Sequence, residues 1–508
     1  MTLSLPNPLI AGFNPDPSIV RVGDDYYLAT STFEYLPGLP IYHSTDLVSW
    51  RQIGNVATRP GQLAVEQVPT GGGAWAPTIR HRDGAFHLVV TDAMGRGTLH
   101  FAATAAAGPW SDGAVLTDDL GAPIDGIDPD LAWDDDGVAY VTYSALGLSG
   151  DDIGAHRGIE QVRVDLDAGR VLTSPRSLWS GTGGMFPEAP HLYRHGGWWY
   201  LVVAEGGTER GHSVSIARSR SPEGPFTPGP ANPLVTARGT DRPVQNTGHA
   251  DLVVGPDDEP YLVMLGVRPR GMTRAFAALG RETFVTPARW TAQGWLEADP
   301  VELAPRPGGQ VWVEEFDGAL GPQWLGVRQL PTSCSSTDER PGWLVLHGES
   351  TGLDAPDPVF VGVRQQHQTV SYVARVDVSA GVGGLAVRYD EHTHYEIEAG
   401  AGWLVARAVI PGFVREERVP LPGDLNPAAL DLMLTSRRPD TVGFGSATSD
   451  LVGLGYGTSD GATVLLAEID GRSLSAETAA SFTGRVVGLY ARTGTVAFDR
   501  LDYRGDDT

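Results

Sequence analysis

Apolar and polar positions alternate along most of this chain in short runs broken by Gly, Pro and Asp, without the three-to-four spacing of a long amphipathic helix. The clearest runs pair into a form that repeats. Asp16-Pro-Ser-Ile reaches a turn at Gly23-Asp24-Asp25 and returns as Tyr26-Tyr-Leu-Ala-Thr, the pattern of a strand, a tight turn and an aromatic-rich partner strand. Ala76-Pro-Thr-Ile, Asp128-Pro-Asp-Leu, Ala189-Pro-His-Leu and His249-Ala-Asp-Leu each open the same form, followed by Phe86-His-Leu-Val-Val, Ala139-Tyr-Val-Thr-Tyr, Trp198-Trp-Tyr-Leu-Val and Tyr261-Leu-Val-Met. The second position of each unit falls at 17, 77, 129, 190 and 250. A period near sixty residues suits four short strands with their loops, so five units predict a five-bladed β-propeller rather than a solenoid.

The repeat stops in the Pro/Gly stretch from Ala304 to Gln310. Beyond it come strands with period-two alternation, such as Ser371-Tyr-Val-Ala-Arg-Val-Asp-Val and Gly384-Leu-Ala-Val-Arg-Tyr, separated by Gly/Asp turns at the spacing of a β-sandwich. The expected organisation is a propeller over 1–305, a linker at 306–310 and a sandwich over 311–508. Gly (65) and Pro (38) make up about a fifth of the chain, which agrees with an all-β protein of many tight turns.

Charge and composition then narrow the chemistry. All 37 basic residues are Arg, so Schiff-base lysine chemistry is excluded, and a Walker-type phosphate loop would lack its ammonium. The 62 acids bring the net charge to −25, which disfavours nucleic acid and anionic membrane as partners and leaves neutral substrates open. One cysteine, Cys334, permits no internal disulfide, and the first residues lack a basic start followed by an apolar run, so the expected location is cytoplasmic. The longest apolar stretch, Trp198 to Ala204, falls far short of the roughly 20 residues that span a bilayer.

In a propeller the first strand of every blade lies along the central axis, so one register position in each repeat converges on one end of the channel. The residue before the repeat's Pro is Asp16, Ala76, Asp128, Ala189 and, by alignment, His249; one step earlier in the fourth unit stands Glu188. Asp-Pro often does no more than open a strand. Acids from three units at one end of an axis form a candidate site instead. Like charges crowded in a partly dry pocket cannot all ionise, so at least one acid should keep its proton near neutrality. A proton donor beside a carboxylate is what acetal hydrolysis requires.

Phe13-Asn-Pro-Asp16-Pro-Ser-Ile, Gly126-Ile-Asp128-Pro-Asp-Leu, Phe186-Pro-Glu188-Ala-Pro-His, Ala204-Glu-Gly-Gly-Thr, Gly248-His249-Ala-Asp and Leu279-Gly-Arg281-Glu-Thr resemble, in order, the blocks of glycoside hydrolase family 43. Arg364-Gln-Gln-His and Gly384-Leu-Ala-Val-Arg-Tyr-Asp-Glu resemble the C-terminal concanavalin-like sandwich (jelly roll) of its β-xylosidase and α-L-arabinofuranosidase branch. The resemblance implies an inverting enzyme with Asp16 as general base, Glu188 as general acid and Asp128 orienting Glu188 and raising its pKa. Acid and base in such enzymes stand roughly 6.5–9.5 Å apart.

By the same resemblance Arg281 binds sugar hydroxyls, with an ion pair to Glu282 as the structural alternative, and Trp75 and Phe33 line the sugar pocket unless they are ordinary core. His249 resembles a residue near the propeller axis that in some relatives binds calcium, and a buried, hydrogen-bonded histidine is the alternative. No cofactor is expected for catalysis, and a structural calcium near the axis would be the one metal. Asp134-Asp-Asp-Gly and Gly255-Pro-Asp-Asp read as hairpin tips. A sandwich loop that approaches the pocket in the family has no recognisable counterpart in this sequence.

The leading reading is an exo-acting glycosidase that releases xylose from the non-reducing ends of β-1,4-xylo-oligosaccharides, with those or arabinoxylo-oligosaccharides as partners and a homo-oligomer allowed. Release of α-L-arabinofuranose is the alternative, since the two pentoses present similar hydroxyl geometry. From another class, a non-catalytic sugar-binding propeller would need no convergent acids.

Overall fold

A computed structural model describes residues 5–148, 150, 153–271, 274–440, 448–479 and 482–507. Five antiparallel sheets follow one another along the first three hundred residues, and their first strands are Ser18–Val22, Gly73–Arg82, Ile127–Trp133, Glu188–His195 and Gln245–Val254. Each pairs with the next strand in sequence, as the repeated hairpin pattern predicts. The chain is nearly all β, and among the described residues the α-helical segment is the single turn Pro331–Cys334.

Burial explains the closed ring. Each wedge between neighbouring blades holds its own apolar cluster: Ile41 and Val56 meet Leu88 between blades one and two, Val89 meets Leu131, Ala132 meets Leu201, and Val202 meets Leu262. The last wedge joins Ile19 and Leu28 to Val263. The N-terminal segment seals this seam by pairing with blade five, Asn7 with Ala304 and Ile10 with Thr283.

In the sandwich, two long strands, Thr369–Asp390 and Val486–Asp506, run through both layers and pair with each other along most of their length. One half of each joins Phe360–Arg364, Thr393–Gly400, Trp403–Ile410 and Phe413–Pro420; the other joins Leu344–Glu349, Leu430–Arg437, Leu451–Gly457 and Thr463–Asp470. Alternate residues of these strands fill one core around Tyr372, Val376, Leu385 and Leu489, as expected of a β-sandwich.

The two domains share a further core, in which Phe13, Phe33 and Tyr35 of the propeller pack on Leu325, Phe360, Val486 and Tyr490 of the sandwich. Gly326–Val327 extends this contact by pairing with Tyr35–Leu36. The sandwich is therefore fixed against the propeller at the foot of the Phe33 loop, close to the acids described next.

Candidate active site

The register position behaves alike in all five blades. Asp16, Ala76, Asp128, Ala189 and His249 adopt left-handed backbone, with φ of 55°, 47°, 54°, 50° and 52°. In blades two to five this kink falls at or beside a break in the pairing register of the first strand. Left-handed backbone costs a non-glycine residue about 1–2 kcal/mol, so five aligned occurrences mark a built feature that re-aims side chains at the axis. The kink delivers Asp16, Asp128 and His249 directly and Glu188 from one step before Ala189.

Asp16 is buried and accepts hydrogen bonds from Ser31 Oγ at 2.6 Å and Arg281 Nη1 at 3.1 Å, with His249 Nδ1 3.6 Å away. Burial alone would raise its pKa, but the Arg281 charge and the Ser31 hydrogen bond outweigh it and hold the carboxyl below its ordinary value. Glu188 lies on the other side of the balance. Burial first, then the charges of Asp128 and Asp16, push it well above the usual carboxylate range. Asp128 is raised too, by burial and by Asp16, although the Ala189 amide donates to its Oδ2 at 3.1 Å. That bond ties Asp128 to the residue next to Glu188. The two shifts oppose one another: the surroundings favour the ionised form of Asp16 and the protonated form of Glu188.

Arg281 is buried and shared. Nη1 also donates to Thr208 Oγ1 at 3.0 Å, Nη2 donates to the Phe482 carbonyl at 3.3 Å, and the guanidinium lies 5.7 Å from the Phe33 ring centre. The structural alternative, an ion pair with Glu282, does not form. Adjacent strand residues face opposite ways, and Glu282 accepts instead from Arg268 Nε at 2.7 Å and the Gly12 amide at 2.8 Å. Phe33 and Trp75 are neighbours, with ring centres 6.2 Å apart; Phe33 is buried against Phe13, while Trp75 stays partly open and donates to the Gly71 carbonyl.

Several residues at the site carried no assignment from sequence. Phe482 comes from the sandwich and supplies the loop that could not be placed: its ring meets Trp75 edge-on at 6.5 Å and lies 5.5 Å from the Arg281 guanidinium. His212 is buried with Nδ1 3.0 Å from the Asn246 carbonyl, so Nδ1 carries the proton and the Nε2 lone pair faces Glu188 Oε1 at 4.0 Å. Burial keeps this ring neutral, with its pKa pushed down to about 4, and a lone pair facing Glu188 favours the protonated acid. Glu205 accepts from the Thr182 amide and hydroxyl and from the Gly184 amide, which fixes the loop leading into Glu188.

One layer deeper, two residues on from each kink, stand Ser18, Thr78, Asp130, His191 and Asp251. Arg80 closes the axis there, donating to Asp130 at 2.7 Å, Asp251 at 2.9 Å and Ser18 at 3.2 Å. Arg80 thus bridges the axis one layer beneath the acids, and Phe482 reaches over Arg281 beside Trp75. Because the Phe482 ring is 43% exposed and contributes little to either core, Phe482→Ala should raise KM about tenfold while leaving the melting temperature within a degree or two. Steady-state kinetics beside a thermal scan checks this.

The calcium expectation meets a poor ligand set. Calcium takes six to eight oxygens, whereas His249 faces one carboxylate, Asp16, which already serves Arg281 and Ser31. Among the described residues no three His, Cys, Asp or Glu side chains are grouped to hold a metal ion. Burial, with the nearby His191, His212 and Arg281, pushes His249 down to about 3, against the pull of Asp16. His249 is thus a neutral, buried neighbour of Asp16.

A five-bladed propeller that gathers Asp16, Asp128, Glu188 and Arg281 on its axis, with the pKa of Asp16 lowered and that of Glu188 raised, has the make-up of a glycosidase site. Comparison with known proteins agrees. Residues 5–296 match the glycosyl hydrolases family 43 model and residues 313–504 the β-xylosidase C-terminal concanavalin A-like domain model, so the chain belongs to glycosyl hydrolase family 43. It is 34% identical to a non-reducing-end α-L-arabinofuranosidase of Bacteroides ovatus over 98% of this chain and 94% of that one. Identity to a β-xylosidase of Bacillus subtilis is 36%, over 72% of each chain. Among solved structures, xylan β-1,4-xylosidase of Bacillus halodurans superposes with a TM-score of 0.87 at 30% identity, covering 98% of this chain and 100% of that one.

Proposed function

We propose that this glycosidase is an exo-acting, inverting β-xylosidase that removes single xylose units from the non-reducing ends of β-1,4-xylo-oligosaccharides. One observation carries the reading: two neighbouring buried carboxyls are shifted in opposite directions, Asp16 towards ionisation and Glu188 towards keeping its proton, while Arg80 bridges Asp130 and Asp251 across the axis one layer deeper. Asp16 takes a proton from water as the water oxygen bonds to the anomeric carbon. Glu188 gives its proton to the glycosidic oxygen as that bond breaks, and attack from the face opposite the leaving group inverts the configuration. Arg281 holds Asp16 and presents its donor fork to sugar hydroxyls, and Asp128 anchors the Glu188 backbone. A sugar-binding protein without catalysis would have no use for this split of pKa values.

The alternative, release of α-L-arabinofuranose, draws support from the Bacteroides ovatus relative, which carries that activity in its name across nearly the same length. Turnover of p-nitrophenyl β-D-xylopyranoside and p-nitrophenyl α-L-arabinofuranoside separates the two. The xyloside should turn over at least as fast; a tenfold advantage for the arabinofuranoside would overturn the xylosidase reading in favour of the second.

A further inference from the structure

A second cleft, of about 820 Å³, opens where blade one and the linker meet the sandwich, and its lining includes none of Asp16, Asp128, Glu188 or Arg281. Its volume is that of a small-molecule site. The Arg364-Gln-Gln-His segment singled out in the sequence forms part of its wall, and the catalytic reading gives that segment no role.

Two features point to a ligand. The first is cationic. Arg364 is 94% buried by area (6% exposed), yet its Nε and Nη2 have no hydrogen-bond partner, and its near neighbour is the Phe13 ring, 5.5 Å away. Arg306, from the linker, donates only to the carbonyls of Leu9 (3.2 Å) and Val48 (2.9 Å). Neither guanidinium has a carboxylate partner among the described residues. The acids on the cleft wall are engaged elsewhere, Asp507 with Arg268 at 2.7 Å and Glu314 with the Phe316 amide and the Trp324 indole. In a chain with 62 acids and 37 arginines, an internal partner is easily supplied, so two unpaired guanidiniums on one cleft leave a place for an external carboxylate.

The second feature is aromatic. On the strand Gln310–Glu314, Trp312 and Val313 both line the cleft, and Trp312, half-buried at the edge of the sandwich core, stacks on Tyr503 at 4.9 Å and 17°. Tyr372 packs against the same Tyr503 and holds a buried hydroxyl with no partner. Partly exposed Trp50 stands on the blade-one side. Flat apolar faces beside an unused hydroxyl suit the C–H face and hydroxyls of a sugar ring.

We propose that this cleft binds a sugar bearing a carboxylate, either a free uronic acid or an oligosaccharide branch ending in one, with the carboxylate on Arg364 and Arg306 and the ring against Trp312. The inference stands whichever pentose the catalytic pocket accepts. Isothermal titration of the full chain with D-glucuronate tests it, using D-glucose and acetate as the neutral sugar and the carboxylate without a ring. Saturable one-to-one binding is expected, about tenfold weaker for glucose and for acetate, about tenfold weaker in Arg306→Gln and in Trp312→Ala, and unchanged in Phe482→Ala. Arg306 is exposed, so Arg306→Gln removes no core packing, and a melting curve checks the fold of Trp312→Ala, whose ring lies at the edge of the sandwich core. Absence of saturable binding, equal binding of glucose or acetate, or wild-type binding by both cleft variants would each overturn the proposal.

Discussion

Asp16→Asn should lower kcat by about 10³-fold on activated and unactivated pentosides alike. The amide keeps the shape and one oxygen to accept from Arg281, and its NH2 must donate where Asp16 Oδ2 accepted from Ser31, but above all it has lost the charge that takes a proton from water. Since attack by water is needed whatever the leaving group, the loss should not depend on the aglycone. Arg281 would then face no anion in a buried site, so some loss of stability accompanies the variant. A melting curve separates that effect from the kinetic one. Retention of even a tenth of the wild-type rate would remove Asp16 from the role of base.

With Glu188 as the proposed acid, its proton should govern the other limb of the pH profile. An acid catalyst works only while protonated, so the rate must fall as pH rises through the folded pKa of Glu188. Burial and the charges of Asp128 and Asp16 raise that pKa, which places the alkaline limb well above the range of an ordinary glutamate. Asp16 is shifted the other way, so the acidic limb lies below the ordinary aspartate value. The protons of Glu188 and Asp128 are coupled, and the alkaline limb belongs to the pair. In Glu188→Ala that limb should vanish from the profile of an activated substrate, because protonation of Asp128 cannot substitute for a proton delivered to the leaving oxygen.

The repeat was legible in the sequence because every blade is built by the same local rule: an alternating strand, a Gly/Asp turn and an aromatic-rich return. Its register picked out Asp16, Asp128 and His249, and the left-handed kinks show why that position is special: Asp, Ala and His occupy it, and Asp and His belong to the residue types that tolerate such backbone best. Phe482 was not legible. It lies some two hundred residues from Arg281 in sequence and reaches it only because the sandwich docks on the Phe33 loop through long-range apolar packing. His212 escaped for a different reason. It stands just before the third strand of blade four, Ser213–Ser219, away from the repeat register, and its orientation depends on the Asn246 carbonyl in the next blade. The N-terminal seal on blade five likewise needs the ring to close before its partners become neighbours.

The central claim is that Glu188 is the proton donor to the leaving oxygen, and Glu188→Ala tests it most directly through the basicity of that oxygen. Turnover of p-nitrophenyl β-D-xylopyranoside, whose leaving group departs without help, should fall about tenfold, whereas turnover of xylobiose, whose leaving alkoxide needs a proton, should fall about 10³-fold or more. Equal losses on the two substrates would contradict the account.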